Sequence, residues 1–134
     1  YRATLTLPTP PAWTNHSSIT AVNRSQDVTV TWSGGDTAKE YVILEGVSTD
    51  TSLGVGAKFD CVERSSAGRF TIPSLVLSAL PASGTLSDGS QSMPSGSLQV
   101  GFTSIRELSR FQAQGVDDGS FGYVMQNMKF VGYQ

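Results

Sequence analysis

The chain has 134 residues, a formal net charge of −2 and a hydrophobic fraction of 38%, which fits one domain with its own core. Only 15% of the residues are charged, against roughly 25% in an average soluble domain, and the nine basic residues are scattered. The composition therefore excludes an electrostatic footprint for nucleic acid, and no apolar run reaches the ~18 residues of a membrane-spanning segment.

The first third of the chain predicts β structure. Weak alternation over residues 3–7 predicts an edge strand that the following prolines end, and residues 18–22 predict a short strand. The strongest pattern is DVTVTW, in which Val28, Val30 and Trp32 fall on one face of a strand that stops at Gly34-Gly35. This period-2 alternation predicts a half-buried strand with the Trp32 indole between two sheets.

The remaining two thirds continue the series of short strands. We predict strands over residues 40–47, 57–63, 69–72 and 97–102. Pro73 and Pro81 bracket SLVLSAL, residues 74–80, whose spacing predicts a short helix. Residues 82–96 are rich in Gly and Ser and predict a mobile loop. Residues 105–111 fit a helix or a bent strand, 112–119 a turn, and 120–133 one kinked strand or a hairpin.

Together these elements predict one domain over residues 1–134. The fold class is all-β, an immunoglobulin-like antiparallel β-sandwich with one short helix. The chain opens at Tyr1 without a methionine, so we expect it to be a piece of a longer extracellular protein. The predicted core is Val28, Val30, Trp32, Tyr41, Ile43, Phe59, Cys61, Phe70, Ile72, Leu75, Leu80, Leu98, Val100 and Phe102.

Several motifs of the chain, taken in order, resemble those of known β-sandwich domains. DVTVTWSGG followed by EYVILEG resembles the second and third strands of immunoglobulin-like and fibronectin type III domains. A wider series is similar to a C-terminal β-sandwich module of large secreted bacterial proteins. That series comprises Trp13-Thr14-Asn15, VTVTWSGGD, Phe59-x-Cys61, AGRFTIPS at 67–74, Val76-Leu77, Ala79-Leu80-Pro81 and Gly115-Val116-Asp117. The resemblance implies an extracellular, non-catalytic domain and carries over no functional residues.

Catalytic chemistry has little support in the sequence. Cys61 and His16 are the only thiol and the only imidazole, and a structural role fits each of them better than a nucleophile–base pair. The carboxylates of Asp60 and Glu63 are three residues apart on one predicted strand, and those of Glu40 and Glu45 are five apart. Such spacings put the two side chains on opposite faces, so neither pair converges on one cleft.

Binding residues are better candidates. Trp13, Tyr123 and Tyr133 could form an exposed aromatic platform for stacking on sugar rings. The alternative for Trp13 is packing over an open end of the core. Asp117 and Asp118, with Asp88, could offer oxygen ligands to calcium, although Asp-Asp-Gly is also a favourable turn sequence.

These observations lead to two functional hypotheses. The first is a non-catalytic spacer, protein-interaction or adhesion module of a bacterial protein, located outside the cell or at its surface. The alternative is a carbohydrate-binding module that uses exposed aromatics; a small enzyme is disfavoured. We expect no cofactor, no nucleic acid and no membrane insertion. The expected partners are other domains of the parent chain or cell-surface polymers, and the domain itself is expected to be a monomer.

Overall fold

A computed structural model describes residues 4, 6–104 and 108–134 and shows an all-β chain with one short α-helix in this part. The strands in chain order are β1 (Ala12–Trp13), β2 (Ala21–Val22), β3 (Val28–Ser33), β4 (Tyr41–Asp50), β5 (Val55–Arg64), β6 (Arg69–Ile72), β7 (Thr85–Ser87), β8 (Ser92–Pro94), β9 (Gly96–Thr103), β10 (Ser109–Ala113), β11 (Val116–Phe121), β12 (Val124–Phe130) and β13 (Gly132–Tyr133). The helix α1 spans Ser74–Leu77, and a 3-10 turn occupies Ser65–Ala67.

Two antiparallel sheets dominate the described part. The larger has four strands in the order β12-β9-β4-β5, and the smaller has three in the order β1-β3-β6. The C-terminal strand β13 pairs in parallel with β2, while β7 and β8, and β10 and β11, form separate two-stranded ladders. After the long β4–β5 hairpin, β6 joins the smaller sheet, and β9 and β12 join the larger one.

Both sheets contribute to one buried hydrophobic cluster. The smaller sheet supplies Val30 and Ile72, each 0% exposed, and Trp32, which is 4% exposed. The indole nitrogen of Trp32 donates a hydrogen bond of 2.8 Å to the carbonyl oxygen of Ser65, so its one polar group is satisfied inside the core. The larger sheet supplies Val42, Leu44, Phe59, Leu98, Val100 and Phe102. The predicted burial of Trp32 is thus confirmed.

Strand β4 is buried in the opposite phase from the one predicted. Tyr41 and Ile43 are half-buried on the face away from the core, whereas Val42 and Leu44 are fully buried. The apolar run Tyr41–Leu44 has no alternation of its own, so its phase depends on the residues that follow. Gly46 lies on the inward face, where an added side chain would collide with the Phe59 ring. The close fit of that ring fixes which residues of β4 point inward.

The helix is shorter than predicted, and this changes its buried face. It starts at Ser74 as expected but makes a single turn, so Leu77 is 1% exposed while Leu75 is 82% exposed. The prediction that Leu75 is a core residue is therefore wrong. Asp27 caps the helix from another segment, because its carboxylate accepts the backbone N–H of Ser74 at 2.7 Å. This hydrogen bond lowers the pKa of Asp27.

Several other expectations need correction. Val28, Cys61 and Phe70 are partly buried at the edge of the core instead of inside it. The predicted loop over residues 82–96 contains the β7–β8 ladder, and the turn predicted over 112–119 largely belongs to strands β10 and β11. The strand predicted over residues 3–7 and the ambiguous element over 105–111 fall partly outside the described residues.

Candidate functional site

One face of the four-stranded sheet points away from the core, and we call it the outer face. Because side chains alternate along a strand, the buried residues of β4, β5 and β9 identify their neighbours as outward-facing. The strand pairings then place the members in four rows across β12, β9, β4 and β5. The rows are Phe130-Ser97-Val47-Lys58, Met128-Gln99-Glu45-Asp60, Gln126-Gly101-Ile43-Val62 and Val124-Thr103-Tyr41-Arg64.

The outer face carries four well-exposed apolar side chains on its two edge strands, β5 and β12. Val62 is 53% exposed on β5, and Val124, Met128 and Phe130 are 61%, 51% and 48% exposed on β12. Single exposed apolar residues are ordinary, but a set that shares one regular face is a recognised mark of an interaction surface.

The charges of the outer face neutralise one another. The Lys58 ammonium lies 3.0 Å from the Asp60 carboxylate and 3.5 Å from that of Glu45. The hydrogen bond from Lys58 to Asp60, together with the charge of Asp60 and then that of Glu45, raises the pKa of Lys58. The Arg64 guanidinium lies 5.5 Å from the centroid of the Tyr41 ring, which is cation–π geometry. The face therefore carries no net charge, and the strand β12 side of it has no charged residue.

A second feature lies at the end of the sheet where β4 begins, and it centres on the buried carboxylate of Glu40. The Glu40 residue is 2% exposed. Its Oε1 accepts a hydrogen bond of 2.5 Å from the Tyr123 hydroxyl, and its Oε2 accepts one of 2.5 Å from the backbone N–H of Asp36. The Glu40 carbonyl oxygen also accepts the N–H of Ser65. The side chain thus ties the β3–β4 loop to the segment that leads into β12.

A pocket of about 590 Å³ opens beside this carboxylate. Its described lining is Thr4, Thr6, Leu7, Pro8, Asp36, Lys39, Ser104, Leu108, Ser109 and Tyr123. Ser104 is 6% exposed, and its hydroxyl oxygen has no hydrogen-bond partner in the described part of the chain. Sequence reasoning missed this site; the one available signal was a glutamate at the start of a strand otherwise predicted to be apolar.

The aromatic residues proposed for sugar stacking do not assemble into an exposed platform. Trp13 is 6% exposed and Tyr133 is 1% exposed, so both rings belong to the core. The Trp13 indole donates to Asn15 at 2.9 Å and packs edge-on against His16, and the Tyr133 hydroxyl donates to the Ser97 carbonyl at 2.9 Å. Burial raises the pKa of Tyr133. The expectation that these two rings are exposed is wrong. Tyr123 is half-buried and lines the pocket beside Glu40.

The acidic candidates for calcium are also dispersed. Asp117 and Asp118 are exposed on β11, where Asp118 lies 3.6 Å from Arg110. Asp88 is in the β7–β8 turn, and its carboxylate accepts the backbone N–H groups of Gln91 and Ser90, which lower its pKa to about 2. Within the described ranges, no three His, Cys, Asp or Glu side chains come together as a metal-binding group.

The remaining candidates for catalysis occupy structural positions. Cys61 lies in β5 at the margin of the core, and burial, with the nearby charge of Asp60, raises its pKa, which disfavours the thiolate. His16 packs on Trp13 instead of facing a thiol. Glu40 is buried while Glu45 lies on the outer face, so these two carboxylates do not converge. In the described part of the chain, no helix reaches the length and hydropathy of a membrane-spanning segment.

The resemblance to a module of secreted bacterial proteins rests on the residues of this chain alone. The strand motif Val28–Trp32 and the Pro73 boundary that carry it are real structural elements here. In comparisons with known proteins, no family model, no curated protein and no solved structure matches the chain.

Proposed function

We propose that the chain is an immunoglobulin-like β-sandwich module that acts in adhesion or protein interaction and catalyses no reaction. Support for the sandwich comes from the two antiparallel sheets, since both contribute side chains to one core. The surface rich in Ser, Thr and Gly and the low charge support a location outside the cell or at its surface. The parent would be a larger bacterial protein, in keeping with the resemblance of its motifs.

The observation that carries the interaction role is the apolar outer face. Four side chains that are about half exposed or more, Val62, Val124, Met128 and Phe130, share a face with no net charge, on which Lys58 is paired with Asp60 and Glu45. Such a face favours an uncharged, apolar protein surface as partner, because a charged partner would gain nothing from Lys58 and Asp60. We propose that another domain of the parent chain, or a protein of the cell surface, covers this face.

Placing charge on the outer face should weaken binding without unfolding the domain. The double variant Val62→Lys and Met128→Lys puts two ammonium groups on exposed positions, so its thermal midpoint should remain close to that of the original chain. Desolvating these charges on docking should weaken binding of the labelled domain to the surface of the producing cells by at least about tenfold. Titration followed by flow cytometry measures this loss.

The matched control is Leu75→Lys on helix α1. Leu75 is 82% exposed but does not belong to the outer face, so this variant adds the same charge at an unrelated apolar position. Its binding should equal that of the original chain. Equal binding by the outer-face variant would sink the proposal, and so would an equal loss in the Leu75→Lys control. Sedimentation velocity tests whether the partner is instead a second copy.

A further inference from the structure

The pocket at the start of β4 has the features of a small-ligand site that is independent of the outer face. At about 590 Å³ it lies within the size range of roughly 300–1,000 Å³ that small-molecule sites occupy. Its wall mixes hydroxyl side chains with the apolar surfaces of Pro8, Leu108 and the Tyr123 ring. Among its described lining residues, Asp36 and Lys39 contribute opposite formal charges, so the wall is neutral overall.

The Tyr123 ring is held in place by a group that is costly to bury. The Glu40 carboxylate is almost fully desolvated, and it accepts hydrogen bonds from two donors, the Tyr123 hydroxyl and the Asp36 N–H. A hydrogen bond to a charged acceptor is stronger than one between neutral groups. The bond therefore fixes the orientation of an aromatic wall of the pocket before any ligand arrives, which is how binding sites reduce the entropy lost on binding.

Ser104 supplies a polar atom that the described part of the fold leaves unused. It lies in the pocket wall, it is buried, and its hydroxyl oxygen finds no partner in the described residues. A buried hydroxyl without a hydrogen bond reduces stability, and most buried polar atoms in proteins avoid this state. Rotation of the side chain to another staggered rotamer is the movement that would offer this hydroxyl to a ligand.

The chemistry of the wall selects a class of ligand. Serine and threonine hydroxyls and the Asp36 carboxylate match the donor and acceptor groups of a polyhydroxylated molecule. The aromatic and aliphatic surfaces match the apolar face of a sugar ring. The buried charge of Glu40 behind the wall disfavours an anionic ligand. We propose that this pocket binds a neutral saccharide unit, with Tyr123 as its ring wall and Ser104 as a hydrogen-bonding group.

The test is calorimetric titration of the full chain with short neutral cello-, chito-, xylo- and malto-oligosaccharides, with oligogalacturonate as an anionic comparison. At least one neutral series should saturate, and the anionic series should bind more weakly. Ser104→Ala should weaken that binding by about tenfold, since one hydrogen bond to the ligand is lost. The same variant should leave the thermal midpoint of the free protein unchanged or higher, because the unused hydroxyl is gone.

The control is Ser92→Ala, an exposed serine on β8 that does not line this pocket, and its affinity should be unchanged. Tyr123→Phe keeps the ring but removes its bond to Glu40, so it should bind more weakly than the original chain while remaining folded. The proposal is overturned if no neutral oligosaccharide saturates, if only the anionic series binds, or if Ser104→Ala binds with unchanged affinity. A lower thermal midpoint in Ser104→Ala would assign its hydroxyl to the fold instead of to a ligand.

Discussion

Replacing Trp32 with alanine is expected to lower the free energy of unfolding by about 3–5 kcal/mol, the usual cost of removing a large aromatic ring from a core. The indole is 4% exposed, and the variant would also leave the Ser65 carbonyl oxygen without its 2.8 Å donor. Because small domains are stable by only about 5–15 kcal/mol, this loss takes a large share of the total. Urea denaturation followed by circular dichroism measures it.

Two comparisons make the Trp32 result specific. Leu75→Ala removes an apolar side chain that is 82% exposed, so its effect should stay within about 0.5 kcal/mol. Trp32→Phe keeps a ring but removes the indole N–H, so its loss should lie between those of the other two variants. A Trp32→Ala domain with an unchanged denaturation midpoint would show that the ring contributes nothing to the core.

Replacing Glu40 with alanine is expected to lower the free energy of unfolding by about 2–4 kcal/mol, because two partly buried donors lose their acceptor. These donors are the Tyr123 hydroxyl and the Asp36 N–H, both at 2.5 Å. The loss is partly offset because a desolvated charge is also removed. Thermal and urea unfolding of the variant measure the net effect, and the β3–β4 loop should become more open to hydrogen exchange.

A double-mutant cycle separates the bond between Glu40 and Tyr123 from the other contacts of each residue. Glu40→Ala and Tyr123→Phe, alone and together, should give a coupling energy of about 1–3 kcal/mol. Glu45→Ala is the control, since this carboxylate lies on the outer face and contacts Lys58. A coupling energy of zero would mean that the hydrogen bond between Glu40 and Tyr123 does not hold the start of β4 and the segment before β12 together.

The parts of the fold that sequence could predict are those with local, unambiguous patterns. Alternation in VTVTW gave the right face for Val30 and Trp32, and Pro73 marked the start of the helix. These patterns depend on neighbours in sequence. Strand β9 was predicted with the right face for the same reason, since Leu98, Val100 and Phe102 alternate with small or polar residues.

The parts that could not be predicted depend on contacts between distant residues. The phase of β4 is set by the fit of Phe59 over Gly46, a contact between two strands. Within the strand, the apolar run Tyr41–Leu44 has no alternation of its own, and Glu45, on the face of Tyr41 and Ile43, was a local signal that the prediction did not use. Trp13 lies in a two-residue strand paired with Trp32, a pairing with no local signal, so its exposure could not be judged. The Glu40 site joins residues 83 positions apart in the chain, which makes it visible only once the sheet is assembled.

The outer face could not be predicted from the sequence for the same reason, because its members come together only through pairing of distant strands. Its apolar members lie on β4, β5 and β12, and the β12 members, Val124, Met128 and Phe130, share a face only when β12 pairs with β9 in the observed register. A shift of one residue would turn all three toward the core. The functional proposal therefore depends on the larger sheet, and this sheet in turn depends on the core that it shares with Trp32.

The most direct test of that shared core is the fluorescence of Trp32 in a Trp13→Phe variant, which leaves a single indole. Burial of the Trp32 ring in this core predicts a blue-shifted emission maximum and slow quenching by acrylamide, both lost together in urea. Emission at the wavelength of tryptophan in water, with native quenching as fast as in the unfolded chain, would contradict the account.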